Sequence, residues 1–198
     1  MSDNVVSINE NNLIDQCISI LKQDGVLAVP TDTIYGLAGL VNNEKAIRKI
    51  YEIKGRSFTK PLAISVGYID DLFIWSKPTL TKDQLSTGDL LPAIRIPNCQ
   101  FMIELAQRLQ EPIALTSANI SNEPSSICID EFKELWSQID LIIDGGLLSS
   151  NDRRGSTIID LSEKGYFHIQ RQGIDCERII KYFKRILSIK RKKYRFVM

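Results

Sequence analysis

The sequence predicts a mixed α/β or α+β domain, and three observations support this prediction. Short apolar segments of strand length alternate with segments whose apolar residues recur at helical spacing. The later strand-like segments are separated by loops rather than helices, which favours a mixed parallel and antiparallel sheet. With 198 residues, 43% of them hydrophobic and 25% charged, the chain has the size and composition of one globular domain.

The first part of the sequence shows helix and strand patterns in turn. Apolar residues at helical spacing predict an amphipathic helix over 11–24, and an apolar run predicts a strand over 26–29. The polar segment 30–39 is expected to form a loop. Asn43 is suited to cap a second helix that ends near Gly55.

The remaining elements follow the same two patterns. Segment 99–109 has one apolar face and is predicted to be a helix, with Asn98 as its N-cap. The other predicted elements are strands at 62–66, 93–96, 113–116, 141–143, 157–161 and 167–170, and helices at 130–137 and 176–187.

The composition argues against several classes of protein. No apolar stretch approaches the roughly 20 residues of a membrane-spanning helix. The first 12 residues have no Lys or Arg and no apolar core, so we expect neither a secretory signal nor a transit peptide, and a cytoplasmic location. A single histidine and four widely spaced cysteines favour free, buried thiols over a disulfide framework or a zinc site. These residues are His168, Cys17, Cys99, Cys128 and Cys176.

The net charge of +1 hides an uneven distribution. From Arg178 to the end there are nine Lys and Arg and no acidic residue, so the first 177 residues carry 16 basic against 24 acidic residues, a net charge of −8. We therefore divide the chain into a domain over 1–177 and a basic helix or tail over 178–198. The cations at 190–195 are suited to nucleic-acid phosphates, and a solvated terminus is the alternative.

Four polar clusters directly follow predicted strands or helices, where loop residues converge on a cleft. The first, PTDTIYGL at 30–37, places two hydroxyls and a carboxylate after a buried strand. It is suited to contact a small molecule. The alternative is a strand-ending turn stabilised by local hydrogen bonds.

The second cluster, KGRSFTKPL at 54–62, brings three cations within seven residues. Lys54, Arg56 and Lys60 repel one another unless an anion lies among them, and both Arg and Lys bind phosphate. A polyphosphate ligand is therefore one interpretation, and a solvated basic face is the other. The spacing is not that of a Walker loop.

The third and fourth clusters are rich in small polar groups. LTSANISNEPSS at 115–126 offers hydroxyls and amides, as a nucleotide or amino-acid pocket requires, although an N-cap-rich turn has the same composition. RGST at 154–157 and RQG at 171–173 add hydroxyls and a guanidinium. None of these segments is specific by itself.

In this order, the clusters resemble the YrdC/TsaC family of threonylcarbamoyl-AMP synthases. The resemblance covers roughly residues 10–175. It implies a single YrdC-like domain, with a twisted mixed sheet, flanking helices and a concave, positively charged face. The matching segments are PTDTIYGL, KGR followed by KPL, IRIP at 94–97, LTSANIS, GSTIIDL at 155–161 and IQRQG at 169–173.

The resemblance also implies a reaction. L-Threonine, bicarbonate and ATP give L-threonylcarbamoyladenylate and pyrophosphate, and the product passes to a separate complex that modifies the adenosine beside the tRNA anticodon. Mg²⁺ enters with ATP, held by phosphate oxygens and water rather than by a protein-bound metal site. Members of the family are cytoplasmic or mitochondrial.

Site residues are implied one by one at the matching positions. Lys54, Arg56 and Lys60 are the implied catalytic cations, and Arg56 and Lys60 contact ATP. Further ATP contacts are implied for Asn119, Ser125 and Arg171. Contacts to threonine or bicarbonate are implied for Thr33, Ser65, Arg95, Ser117, Ser156 and Thr157, with Arg95 as the candidate for the amino-acid carboxylate.

One segment departs from the family pattern. Where the family runs from its LLP into a GPxT segment, a long strand and a loop, this chain continues directly from 90–92 into Ala93 and Arg95. About two dozen family residues have no counterpart. Because a lost interior strand leaves backbone groups unpaired, we expect either re-pairing of the sheet or lower stability.

Two other functions compete with the synthase activity. The first is that of a catalytically impaired or inactive isoform that acts as an RNA-binding module, binding RNA in a salt-sensitive way without binding ATP. The second is carbamoyl-adenylate formation from carbamoyl phosphate, since YrdC-like domains also occur in hydrogenase maturation. The 198 residues hold no zinc-finger or acylphosphatase-like segment to favour this second alternative.

Overall fold

A computed structural model describes residues 4–68, 70–71, 93–148, 152–160, 166–185 and 190–191. The chain divides into two compact units, Met1–Arg153 and Arg154–Met198, and each is described by itself. The predictions made for 90–92, Leu161, 186–187 and the cations beyond Arg191 lie outside the described residues.

The first unit is built on a sheet that has seven strands within the described ranges. The strands lie in the order β1-β7-β2-β3-β6-β4-β5. Their bounds are β1 Val5–Ser7, β2 Leu27–Val29, β3 Gly36–Leu40, β4 Ala63–Ser65, β5 Ile94–Arg95, β6 Ile113–Ser117 and β7 Leu141–Asp144.

The strand directions confirm the prediction of a mixed sheet. β7 runs parallel to both β1 and β2. β3 is antiparallel to β2 and to β6, and β4 is antiparallel to β6. At the far edge β5 runs parallel to β4, through hydrogen bonds from Ile64 N to Ala93 O (2.7 Å) and from Val66 N to Arg95 O (3.1 Å). The residues after Pro92 therefore join the sheet directly beside β4.

Helices cover both faces of this sheet. They are α1 Leu13–Lys22, α2 Glu44–Lys54, α3 Gln100–Leu109 and a 3₁₀ segment, Ile129–Gln138. Alternation along each strand divides the core in two, because neighbouring residues point to opposite faces. On β6, Ala114 packs with α2 and the 3₁₀ segment, whereas Ile113 and Leu115 pack with α1 and α3.

The capping predictions had mixed outcomes. Asn43 caps α2 as expected, since its Oδ1 accepts a hydrogen bond from Ala46 N at 3.1 Å, and Gly55 ends the helix with a φ of 55°. The cap predicted at Asn98 is wrong: Cys99 holds the N-cap position of α3 without a side-chain hydrogen bond.

Two other expectations are corrected in the first unit. The helix predicted at 130–137 is a 3₁₀ segment interrupted by non-helical angles at Phe132 (φ −131°). The loop predicted over 30–39 is wrong in its second half, because Gly36–Leu40 forms β3, which is buried throughout. Its sequence, GLAGL, lacks the β-branched residues that signal a strand, and pairing on both sides fixes it instead.

The second unit contains a small sheet and one helix. β8 (Ile158–Asp160) pairs antiparallel with β9 (Tyr166–Arg171), and β10 (Lys190–Arg191) pairs parallel with β9. The helix α4 spans Cys176–Arg185. None of the helices formed by the described residues has the length and apolarity needed to cross a bilayer. All four cysteines are free, as predicted, but only Cys17 is buried.

Loss of the Asn43 cap should destabilise the first unit. Replacing Asn43 with Ala removes the acceptor for Ala46 N and a 2.5 Å hydrogen bond to Asp24 Oδ1. We expect Asn43→Ala to lower the free energy of unfolding by about 1–2 kcal/mol in urea denaturation. The neighbouring exposed Asn42→Ala is the matched control and should change it by less than about 0.5 kcal/mol. Equal losses in the two variants would contradict the assigned cap.

Candidate functional site

The registers of β4, β5 and β6 place several predicted site residues on one face of the sheet. Ser65 is paired with both Arg95 and Ile113, so these three residues share a face. Ser117 lies on the same face of β6, four residues after Ile113, opposite Gly36 of β3. This is the face that carries α1 and α3, and the part of it near β4 and β5 holds polar rather than apolar side chains.

Arg95 connects this face to the loop that precedes β3. Its Nη2 donates to Thr31 Oγ1 and Thr33 Oγ1, each at 3.1 Å, and to Asp32 Oδ1 at 2.5 Å. The side chain of Arg95 is only 17% exposed. The structure therefore brings together Thr33 and Arg95, two residues that lie 62 positions apart in the sequence.

Hydrogen-bond accounting separates the two threonines of this loop. The Thr31 hydroxyl donates its one proton to Ile34 O at 2.7 Å and accepts from Thr33 N, Ile34 N and Arg95. Thr31 is thus committed to shaping the loop. The Thr33 hydroxyl accepts from Arg95 and, because the Thr31 proton goes to Ile34 O, donates to Thr31 Oγ1 over a long 3.4 Å contact, so its proton is the more weakly held of the two.

Ser65 supplies an unpaired hydroxyl beside Arg95. The residue is fully buried, and its Oγ has no hydrogen-bond partner among the described residues. A buried hydroxyl without a partner costs roughly 1–3 kcal/mol. An unsatisfied buried group of this kind marks a position at which a further polar partner would be stabilising.

Lys54 is buried at the junction of α2 and β6. Only 1% of the residue is exposed, and its Nζ donates to Ser117 O and, at 2.6 Å, to Asn119 O. In return, Ser121 N donates to Lys54 O at 2.8 Å. No acidic side chain of the described residues pairs with this ammonium group. Lys54 therefore ties the end of α2 to the segment that follows β6.

Burial has a clear electrostatic consequence for Lys54. Loss of hydration, followed by repulsion from Arg56, lowers the pKa of Lys54 to about 8. A buried ammonium group with carbonyl partners but no counter-ion favours the approach of an anion.

Arg56 and Lys60 lie in the loop after α2. Arg56 Nε donates to Lys60 O and its Nη2 to Pro61 O, both at 3.1 Å, so the guanidinium closes this loop on itself. Lys60 is exposed, and its Nζ lies 3.3 Å from Asn122 Oδ1 in the segment after β6. The basic loop after α2 and the segment after β6 are therefore neighbours, as a ligand site formed by both would require.

Asn119 has a fixed orientation with one atom unsatisfied. Its Nδ2 donates to Ile120 O (2.6 Å) and Glu123 O (2.9 Å), while its Oδ1 is buried without a partner among the described residues. The backbone oxygen of Ser125 accepts from Arg153 Nη1 at 2.8 Å.

The sequence analysis assigned no role to Arg153 or Glu131, which form an ion pair in the structure. Glu131 forms a two-pronged ion pair with Arg153 (2.6 Å for each bond) and accepts from Ile127 N, which lowers the pKa of Glu131 to about 2. The pair holds the end of the third polar cluster. Only the position of Arg153 beside the RGST motif hinted at such a role.

Three predicted site residues lie together in the second unit. Arg171 donates through Nε and Nη2 to Ser156 O, at 3.2 and 2.9 Å. Thr157 Oγ1 donates to Ile174 O at 2.8 Å and accepts from Gly173 N at 3.2 Å. The two arms of the fourth cluster, RGST and RQG, therefore meet.

Comparison with protein families identifies one that matches most of the chain. The Sua5/YciO/YrdC family, described as "Telomere recombination", matches residues 19–88 and 72–173. The chain belongs to the Sua5/YciO/YrdC family.

Curated members of this family include close relatives. A human protein named threonylcarbamoyl-AMP synthase is 38% identical over 188 residues, covering 81% of this chain and 67% of the human protein. One from Pyrococcus abyssi is 31% identical, covering 81% of this chain and 54% of its own length. This chain thus spans about two thirds of the human relative and about half of the archaeal one.

A solved structure of another protein shares the fold of this chain. Sua5 of P. abyssi, in a complex with L-threonine, aligns with a TM-score of 0.76 at 26% identity, over 95% of this chain and 62% of that one. The predicted YrdC-like fold and family are therefore confirmed.

The alignment with the human relative also shows residues that this chain lacks. Because 81% of 198 residues is about 160, about 28 of the 188 positions aligned with the human relative have no counterpart in this chain. The two matched segments of the family overlap at 72–88, just before Pro92. The two matched segments thus meet close to the point where the sequence departs from the family pattern.

The buried amine of Lys54 should make stability depend on pH. Its pKa is about 8 in the folded protein and close to 10.5 in the unfolded chain, so between these values the unfolded chain binds more protons. The contribution of Lys54 to stability therefore rises as the pH increases from about 8 to about 10.5.

Urea denaturation across that pH range tests this expectation. The difference in unfolding free energy between the wild-type protein and Lys54→Met should grow in favour of the wild type as the pH rises. Lys22→Met, at an exposed position at the end of α1, should show a constant difference. Parallel pH profiles for the wild type and Lys54→Met would refute the assignment.

Proposed function

We propose that this chain is a threonylcarbamoyl-AMP synthase, which forms L-threonylcarbamoyladenylate and pyrophosphate from L-threonine, bicarbonate and ATP. The observation that carries the proposal is the junction of Arg95 with the Thr31–Thr33 loop beside the unpaired hydroxyl of Ser65. A recessed guanidinium next to an unsatisfied hydroxyl is suited to the carboxylate and hydroxyl of a small amino acid. The names of the curated relatives and the threonine complex of Sua5 point to the same ligand.

In this proposal the amino acid binds on the sheet face. Arg95 takes the carboxylate, and Thr33 and Ser65 provide hydrogen bonds to the substrate. Ser117 lies at the end of β6, next to the carbonyls that hold Lys54. Ser156 and Thr157 as substrate contacts, and Arg171 as an ATP contact, remain predictions from the family motifs.

ATP is proposed to bind over the basic loop and the segment after β6. Arg56 and Lys60 contact the phosphates, and Asn119 and Ser125 contact the nucleotide. Lys54 is buried, so its proposed part is to add positive potential and to hold the carbonyls of Ser117 and Asn119 in place. Its proposed contribution to catalysis is then its positive electrostatic potential and the positioning of these two carbonyl groups.

The chemistry requires mainly positioning and charge stabilisation. The neutral amine of threonine attacks bicarbonate, water leaves, and a carbamate oxygen then attacks the α-phosphorus as pyrophosphate departs. Holding three reactants in line is worth about 7–11 kcal/mol, and fixed cations stabilise the charge that develops on the phosphates. Mg²⁺ is proposed to arrive with ATP. Among the described residues no three His, Cys, Asp or Glu side chains group as a metal site would need, so phosphate oxygens and water would hold the ion.

A three-substrate assay tests the activity. Pyrophosphate release should require L-threonine, bicarbonate and ATP together with Mg²⁺, and the adenylate should be found by mass spectrometry. Folded protein that binds none of these ligands in a thermal-shift experiment would refute the proposal.

Arg56→Ala should strongly impair catalysis. Removing one cation at developing negative charge is expected to lower kcat/KM for ATP by about 100- to 1000-fold, by analogy with oxyanion donors. Arg48→Ala is the matched control, because Arg48 is exposed on α2 and, among the residues the structure describes, pairs with Glu44 alone. Similar losses in both variants would remove Arg56 from the site.

Contact with tRNA is a further part of the proposal. The four cations of α4, Arg178, Lys181, Lys184 and Arg185, are all exposed, which supports an RNA-binding role for the basic end of the chain. In the proposed reaction sequence, a separate transferase complex then uses the adenylate to modify tRNA. Filter binding at rising salt concentration should show steeply falling affinity for tRNA, and salt-insensitive binding would contradict the role.

A further inference from the structure

Within the described part of the chain, the guanidinium of Arg95 is held through one of its nitrogen atoms, Nη2. Nη2 donates to three oxygens of one loop, those of Thr31, Asp32 and Thr33. Arginine has five N–H donors, and those on Nε and Nη1 have no partner among the described residues. One side of the group is thus fixed to the loop, and the other side is available to a ligand.

Asp32 is the only acidic residue in an ion pair with Arg95 among the described residues. Its carboxylate bonds through Oδ1 alone, and its side chain is 25% exposed. The two threonine hydroxyls that share Nη2 are neutral and are buried, so they cannot balance the charge of the guanidinium. Asp32 therefore supplies both the opposite charge and the strongest of the three bonds that orient Arg95.

We propose that Asp32 is a positioning residue: it fixes Arg95 so that its unpaired donors meet the α-carboxylate of the amino-acid substrate. This proposal rests on the proposed function and adds a residue to which no role had been assigned. Arginine has four rotatable bonds, so an untethered side chain loses more entropy when it binds a carboxylate. When Asp32 holds the side chain of Arg95, this entropy is lost as the protein folds and is not lost again when the substrate binds.

An alternative geometry makes the opposite prediction. If Asp32 only occupied the guanidinium in competition with the substrate carboxylate, its removal would strengthen amino-acid binding. The contacts favour positioning, because Asp32 uses Nη2 and leaves Nε and Nη1 without a partner from the residues that the structure describes.

The test compares Asp32→Asn with the wild-type full-length chain. Calorimetric titration with L-threonine and with L-threoninamide, which lacks the carboxylate charge, measures the effect through Arg95. We expect Asp32→Asn to raise the Kd for threonine about 10- to 100-fold and to change the Kd for threoninamide by less than about three-fold. Steady-state kinetics should show a rise in KM for threonine with kcat and the KM for ATP nearly unchanged.

Two further variants complete the design. Asp32→Glu keeps the charge and should recover part of the threonine affinity. Glu44→Gln removes an exposed carboxylate that pairs with Arg48 on α2 and should leave all constants unchanged. Thermal melting of each variant shows that it is folded.

The outcomes are distinguishable. An unchanged or tighter Kd for threonine in Asp32→Asn overturns the inference, and so does an equal loss for threonine and threoninamide. A wild-type protein that binds neither compound overturns the proposed function itself. Selective loss of threonine affinity with recovery in Asp32→Glu supports the inference.

Discussion

A buried ammonium group that has no acidic partner among the described residues ties the end of α2 to the end of β6. Lys54 lies at the end of α2, and its Nζ reaches the carbonyl oxygens of Ser117 and Asn119 beyond the end of β6. Burying a charge without a counter-ion is costly, and carbonyl dipoles offset only part of that cost. The same interaction therefore positions the polar segment after β6 and leaves a positive potential beside it.

Two cations of the site are thus balanced in different ways. Arg95 is paired with Asp32 and keeps a defined orientation, whereas the hydrogen-bond partners of Lys54 in the described part of the chain are carbonyl groups, and its pKa is lowered to about 8. A paired guanidinium with unpaired donors is suited to the carboxylate of an amino acid. An incompletely balanced ammonium group is suited to raising affinity for a polyphosphate. In the proposed function, this difference separates the part that binds the amino acid from the part that binds the nucleotide.

This chain lacks about 28 of the positions aligned with the human relative, and the departure from the family pattern directly precedes the strand that carries Arg95. β5 contains Arg95, and it joins the sheet as a two-residue edge strand beside β4. The backbone bonds of Ala93 and Arg95 to β4 satisfy groups that an unpaired segment would expose. Arg95 reaches the Thr31–Thr33 loop from this edge.

The sequence by itself determined the family, most elements and the residue types of the site. Helical spacing located α1, α2 and α3, and the ordered motifs identified the loops that carry chemistry, because these signals are local in the chain. Only the tertiary structure decided that GLAGL forms a central strand, that Lys54 is buried on carbonyls and that Asp32 orients Arg95. Each of these depends on segments far apart in the sequence, and hydrogen-bond partners, burial and local charge are fixed only when such segments pack together.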